Sequence, residues 1–420
     1  MNVTIKPSVL CGALPAIPSK SHAHRLIICA SLSDTPCSVI CKTTSRDIEA
    51  TVECMRALGA EIERTDTGYY IVPISLGQKK SKATLDCAES GSTLRFLLPV
   101  CAALGISVDF VLHARLADRP LSPLYEILTE GGAVLSDKGS NPLALRGSLA
   151  PRDFSIAGDV SSQFISGLLF ACPLFEGGGS VTLTTKAQSS GYIDMTVDCL
   201  RAFGVSVDER ECDGKTSFTV SGSYKTPRTA LEAEGDWSNA AFLLCAGAIG
   251  SAPVAVSGLN ENSLQPDRAI IDILRKFGAE IEISADKFVV SPASLRGCEI
   301  DVSQTPDLAP VISVVAACAE GKTRIFGASR LRFKESDRIK SITDMIRSLG
   351  GEAQDDNDEI TVHGTGISGG VTDSHNDHRI AMAAAIASAA SAEDITVLGA
   401  QAVEKSYPSF FEDLEKIRIV

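Results

Sequence analysis

At 420 residues the chain is longer than one hydrophobic core usually supports, so two domains are expected. A content of 44% hydrophobic and 22% charged residues excludes a disordered polymer. Only 5% aromatics and a net charge of -13 argue against a nucleic-acid partner, although a small anion in a locally positive hollow stays compatible with that acidity.

The first ten residues, M-N-V-T-I-K-P-S-V-L, lack the charged start and apolar core of a secretory signal. The longest apolar runs, residues 308–319 and 380–390, fall short of the roughly 20 residues a membrane helix needs, so no membrane partner is expected. Thirteen cysteines, an odd number in apolar settings, read as buried thiols of a reducing cytoplasm. Cys37 and Cys41 sit close together, but C-x3-C without a second pair gives no metal site.

Along the chain, P-S-K-S-H-A-H-R (residues 18–25) precedes the apolar run L-I-I-C-A-S-L. If that run is a helix, Ser19 or Ser21 lies at its N-terminus, where free N–H groups and the helix dipole favour an anion. Lys20 and Arg25 would add full charges; a plain serine cap explains the segment equally well. E-S-G-S-T-L-R (residues 89–95) places Gly91 between two serines, so a ligand can approach the backbone, with Arg95 to steady it. In D-V-S-S-Q-F, Ser161, Ser162 and Gln163 offer two hydroxyls and an amide suited to a phosphate or polyol. The segment R-L-R-F-K-E-S-D-R (residues 330–338) packs Arg332, Lys334 and Arg338 around Glu335 and Asp337. Taken alone it reads as a solvated helix start.

Five segments ending a helical apolar pattern align on Gly59, Gly132, Gly204, Gly278 and Gly350, at spacings of 72 to 74 residues. Each glycine precedes an alternating apolar pattern, which predicts a helix, a glycine C-cap and a strand. An aspartate lies upstream of each: Asp47, Asp118, Asp194, Asp267 and Asp337, with a sixth copy starting at Asp377. Most of these are expected to cap helix N-termini. Turns such as Asp213-Gly214 and Gly177 to Gly179 argue against an all-helical solenoid. Six units of mixed α/β structure follow, in two clusters of three. The turns near Ser19 and Glu234 are the candidate crossovers. Gly321-Lys322-Thr323 imitates the end of a phosphate loop, but Ala316 stands where the earlier glycine is needed, so it reads as a strand-entry turn.

Taken in order, K-S-x-x-x-R, G-S-T-x-R, D-R-P, S-S-Q-F, P-D, R-F-K-E-S-D-R, N-D-H-R and the lysine of E-K-S-Y-P span essentially the whole chain. In this order the sequence resembles the 5-enolpyruvylshikimate-3-phosphate synthases, which join phosphoenolpyruvate to shikimate 3-phosphate. The resemblance implies an α/β fold: a two-domain inside-out α/β barrel of six repeated β/α units. The first domain would comprise residues 1–18 and 235–420 and the second residues 19–234, with the active site in the cleft between them. It implies catalytic roles for Asp307 as base toward the acceptor hydroxyl, Glu335 as donor and later acceptor of the C3 proton, and Lys20. Lys20, Ser21 and Arg25 would bind shikimate 3-phosphate, with Ser161, Ser162, Gln163 and Ser189 holding its ring and phosphate, and Asp307 and Lys334 its hydroxyls. Gly91, Arg119, Arg338, Arg379, Lys405 and Lys20 would hold phosphoenolpyruvate.

The same resemblance implies no metal, no organic cofactor and a cytoplasmic monomer. Glu89 and Arg330 depart from it, standing where better-known members carry asparagine. A UDP-N-acetylglucosamine enolpyruvyl transferase, the nearest rival, would show Lys-Asn in place of Lys20-Ser21 and a reactive cysteine in the loop that here reads H-A-R-L-A-D-R-P. An RNA-phosphate cyclase-like protein is disfavoured by few aromatics and the acidic balance.

Overall fold

The computed structural model describes residues 1–75, 77, 79–212 and 214–419. Asp213, half of one predicted turn, lies outside the described residues. The chain forms two compact units, Lys20–Ala233 and the discontinuous pair Met1–Ser19 with Glu234–Val420.

The unit Lys20–Ala233 carries helices α1 (Lys20–Ser31), α2 (Arg46–Leu58), α3 (Gly91–Leu104), α4 (Leu124–Glu130), α5 (Ser162–Ala171) and α6 (Ser190–Ala202). Its strands form three four-stranded sheets of one design. In the sheet Lys82–Asp86, Ser107–Val111, Leu143–Gly147, Ala133–Leu135, the first pair is parallel and the others antiparallel. A parallel pair needs a long crossover, and α3 supplies it. The sheet begun by Asp153–Ile156 repeats this order with α5 as crossover. In the third, Leu231–Glu232 returns from the far end of the unit to lie parallel to Cys37–Ile40.

The discontinuous unit carries α7 (Trp237–Ile249), α8 (Ile270–Phe277), α9 (Ala309–Ala317), α10 (Arg338–Ser348), α11 (His378–Ile386) and α12 (Phe410–Lys416). Two of its sheets repeat the four-stranded design and a third has three strands, with help from the N-terminus. Gly12–Pro15 runs parallel to Val254–Ser257, and Asn2–Ile5 runs antiparallel to Ile395–Leu398.

Burial explains why helices lie inside and sheets outside in each unit. Every residue of α9 and of α11 is buried, as are all of α7 from Trp237 to Ala248. A helix apolar on all sides has no face to offer water, so it becomes the axis of the core. By contrast α8 and α10 bury a stripe, such as Ile270, Ile271, Leu274 and Phe277, and turn charge outward. The two long apolar runs are therefore core helices, α9 and α11. Among the described residues no helix is long and apolar enough to cross a membrane.

The repeat seen in sequence is physical. Gly59, Gly132, Gly204, Gly278 and Gly350 each follow a helix with φ between 75° and 115°, conformations that side chains resist. The aspartates behave differently from expectation. Asp337 and Asp377 do cap α10 and α11, accepting from the amides of Lys340 and Arg379. Asp47 lies inside the first turn of α2, which Ser45 caps, and Asp194 is within α6. Asp118 and Asp267 fall in 3-10 turns. Lys322 opens the strand Lys322–Phe326, so Gly321 is a strand-entry turn.

Candidate active site

In the unit Lys20–Ala233 the predicted residues gather at helix beginnings. Lys20 opens α1 and its Nζ lies 2.8 Å from the Asp47 carboxylate at the head of α2. Arg25, one turn on, is 2% exposed and bonds to α6 and to its own helix. Its Nε donates to Thr196 Oγ1 at 2.9 Å, and its two Nη atoms to the carbonyls of Ser21 at 2.6 Å and Tyr192 at 2.7 Å. The guanidinium also covers the Phe96 ring, 5.0 Å from its centroid. Burial pulls the pKa of Arg25 down to about 10 and that of the neighbouring His22 down to about 4.

A second chain of contacts joins these helix heads. His24 Nδ1 meets Thr51 Oγ1 at 2.7 Å, Thr51 meets Thr93 at 2.7 Å, and Thr93 donates to Ser90 Oγ at 2.8 Å. Ser90 caps α3, whose first residue is Gly91. The space a side chain at Gly91 would take is occupied by Arg119: a Cβ there would lie 2.8 Å from Arg119 Nη1 and 3.1 Å from Arg95 Nη1. What approaches the glycine in this structure is thus a guanidinium. Arg95 donates to Gln163 Oε1 at 2.7 Å, and Gln163 Nε2 to Ser92 Oγ at 2.9 Å, which ties the head of α5 to that of α3. Ser161 caps α5 and accepts from the Gln163 amide, with Ser162 the first residue of that helix. Ser189 precedes α6 in the left-handed region, φ 55°, and is 2% exposed. A buried non-glycine residue held there stores strain of the kind concentrated at ligand sites.

In the discontinuous unit, Arg338 is the hub. At 1% exposure it reaches three carboxylates: Asp377 through Nε at 2.7 Å, Asp307 through Nη1 at 2.6 Å and Glu335 through Nη2 at 2.7 Å. Lys334 Nζ lies 3.1 Å from Asp307, and Arg379 Nη2 lies 3.6 Å from its other oxygen. Lys405, buried, donates to the Asn376 carbonyl beside the α11 cap. The structure therefore brings Asp307, Lys334, Glu335, Arg338 and Arg379 into direct contact, with Lys405 adjoining.

Their electrostatics follow from that geometry. Burial would raise the Asp307 carboxyl, but Lys334, Arg338 and Arg379 overcome it and hold it well below the usual carboxylate range. Burial lowers Lys334, opposed by Asp307. The partly exposed Asp307, Glu335 and Lys334 face outward over a buried layer of Arg338, Asp377 and Arg379. Such an arrangement can exchange its internal carboxylate partners for anionic groups of a ligand and leave two carboxylates free for proton transfer.

Three residues outside the predicted set belong to this architecture. Asp47 partners Lys20, Asp377 anchors Arg338, and Asp267 is fully buried with its carboxylate bonded to Ser238 Oγ. The recurring aspartates were the sequence signal for all three, with N-D-H-R a second one for Asp377. Among the described residues, no group of three or more His, Cys, Asp or Glu side chains is placed to hold a metal.

Comparison with known proteins agrees across the full length. The family model for EPSP synthase (3-phosphoshikimate 1-carboxyvinyltransferase) matches residues 5–414. The 3-phosphoshikimate 1-carboxyvinyltransferase of Clostridium kluyveri is 40% identical over 417 residues, covering 99% of this chain and 97% of that protein. That of Clostridioides difficile is 38% identical over 428 residues, with 99% and 97% covered. An EPSP synthase structure from Acinetobacter baumannii is similar with a TM-score of 0.80 and 27% identity, covering 100% of this chain and 98% of that one. The enolpyruvyl transferase NikO from Streptomyces tendae gives 0.78 at 19% identity over 99% and 97%, a likeness of fold.

Proposed function

Because the chain belongs to the EPSP synthase family, the 3-phosphoshikimate 1-carboxyvinyltransferases, we propose that its two sets of charged side chains act together on one pair of anionic substrates. The enzyme transfers the enolpyruvyl group of phosphoenolpyruvate to shikimate 3-phosphate, a step of the shikimate pathway toward aromatic amino acids. Full-length similarity to proteins named for this activity favours it over transfer to UDP-N-acetylglucosamine.

In this reading the 5-hydroxyl of shikimate 3-phosphate adds to C2 of phosphoenolpyruvate while C3 takes a proton. The tetrahedral intermediate then loses phosphate. Each phosphate brings about -1.5 to -2 charge near neutrality, which calls for cations from several segments. Lys20, Ser21 and Arg25 bind shikimate 3-phosphate. Ser161, Ser162, Gln163 and Ser189 hold its ring and phosphate, and Lys334 and Asp307 its hydroxyls. Gly91, Arg119, Arg338, Arg379 and Lys405, with Lys20, take phosphoenolpyruvate.

Asp307 is the base toward the 5-hydroxyl and Glu335 delivers and later removes the C3 proton. A carboxylate held as low as that of Asp307 is a poor base while three cations surround it. Phosphoenolpyruvate draws two of them, Arg338 and Arg379, to its own phosphate and carboxylate, and Asp307 gains basicity when the substrates are present. The observation that carries the assignment is the shared guanidinium: Arg338 holds both Asp307 and Glu335, so one ligand anion meeting it releases both acids. All thirteen cysteines are unpaired, which supports a reducing cytoplasm, and the protein is taken to act as a monomer without metal or organic cofactor.

The deciding experiment is phosphate release from purified protein given phosphoenolpyruvate with shikimate 3-phosphate, compared with UDP-N-acetylglucosamine as acceptor. Release with the first acceptor alone is expected; release with the second alone would overturn the reading.

A further inference from the structure

The short segment before α8 reaches across to the first turn of α7 at two points. Gln265 Oε1 accepts from the Trp237 amide at 3.0 Å while its Nε2 donates to the Gly235 carbonyl at 2.7 Å. Two residues on, the Asp267 carboxylate accepts from the Ser238 hydroxyl. Ser238 is also the anchor of Arg379, whose Nη1 donates to its carbonyl at 2.9 Å. Arg379 is buried at 3%, its guanidinium 5.9 Å from the Phe242 ring of the same α7. Its partner on the other side, Asp307, is 3.6 Å away and is assigned above to the acceptor hydroxyl.

We propose that Asp267 is a positioning residue for phosphoenolpyruvate binding: through Ser238 and by its own charge it fixes the Arg379 guanidinium, without touching substrate. This rests on the assignment of Arg379 to phosphoenolpyruvate. A buried cation whose one flexible carboxylate neighbour is diverted during the reaction needs a second, fixed one to stay in place. Asp267 is that fixed carboxylate, since it is 0% exposed and locked by the Gln265 clamp.

Its ionisation then bears on binding. Burial raises its carboxyl to about 6, helped by Asp307 on the α9 side and Asp236 at the head of α7, and opposed by Arg379 on α11 and the Ser238 hydroxyl. Above that pH the charge is present and Arg379 is held; below it the charge, and the hold, are lost.

The test is steady-state kinetics with phosphoenolpyruvate varied at saturating shikimate 3-phosphate, in wild type, Asp267→Asn, Arg379→Lys and the double variant. Replacing the buried carboxylate beside the Arg379 guanidinium by a neutral amide, which still accepts from Ser238, predicts that Asp267→Asn raises KM for phosphoenolpyruvate about 10- to 100-fold. The kcat and the KM for shikimate 3-phosphate should move less than about threefold. The fall of kcat/KM for phosphoenolpyruvate as pH drops through 6, to which the substrate phosphates also contribute, should be shallower in the variant. The double variant should be no worse than Arg379→Lys, since both changes act through one group. An unchanged KM for phosphoenolpyruvate, additive effects in the double variant, or equal loss for both substrates would overturn the proposal. Should Asp267→Asn fail to fold, Ser238→Ala keeps the carbonyl and removes the hydroxyl, and must raise the same KM for the proposal to stand. Wild-type turnover with the two substrates separately checks the parent reading.

Discussion

Arg338 shows how much one side chain can carry. It is buried at 1% and balances Asp377, itself at 0%, so its removal strands a carboxylate in the core. Arg338→Met is expected to destabilise the protein by about 3 to 5 kcal/mol, read as a lower denaturant midpoint. Glu335, on the more exposed side of the same guanidinium, has the opposite profile. Glu335→Gln should lower turnover roughly 10²- to 10⁴-fold while shikimate 3-phosphate binding, followed by calorimetry, stays nearly intact. Equal loss of binding would make Glu335 structural. At Gly91, a Cβ would press on the mobile end of Arg119 rather than on backbone. Gly91→Ala should therefore leave the melting temperature near that of wild type and raise the KM for phosphoenolpyruvate, which substrate titration will show.

Helices reveal what a sequence conveys and where it stops. The C-terminal glycines were legible because positive φ is a local demand that glycine meets best. The core helices α9 and α11 were visible as apolar runs, though nothing in them announced that they pack against each other and α7. The aspartates misled because a carboxylate near a helix start has several local uses. Asp47 turned out to serve Lys20 across 27 residues, and Asp267 to serve Ser238 across 29, distances that no short pattern encodes. Resemblance supplied the site residues that local chemistry left open; Arg25, for instance, read as equally compatible with a plain capped helix. Helix α1 also carries a pH signature. Burial depresses His22, to about 4, and His24 further, so both are neutral when folded. Their unfolded pKa is about 6.5, so protons bind the unfolded chain better and their contribution is intact above that pH and declines below it. Melting temperature should hold above pH 6.5 and drop progressively toward pH 4, with a shallower decline in His24→Asn.

The whole molecule is two cores, one continuous and one closed by its own first residues. Lys20–Ala233 contains all strands of its three sheets, and expressed alone it should fold cooperatively with helical circular dichroism yet show no turnover. The other unit depends on Asn2–Ile5 and Gly12–Pro15 to complete two sheets. Deleting residues 1–5 should lower its thermal transition while leaving that of the continuous unit in place, giving two transitions by calorimetry. This borrowing has a consequence for biosynthesis. On the ribosome, Asn2–Ile5 must wait for its partner until Ile395–Leu398 emerges nearly 400 residues later. The inserted unit can mature meanwhile, so assembly proceeds from the middle of the polypeptide outward and finishes when Ile395–Leu398 pairs with Asn2–Ile5.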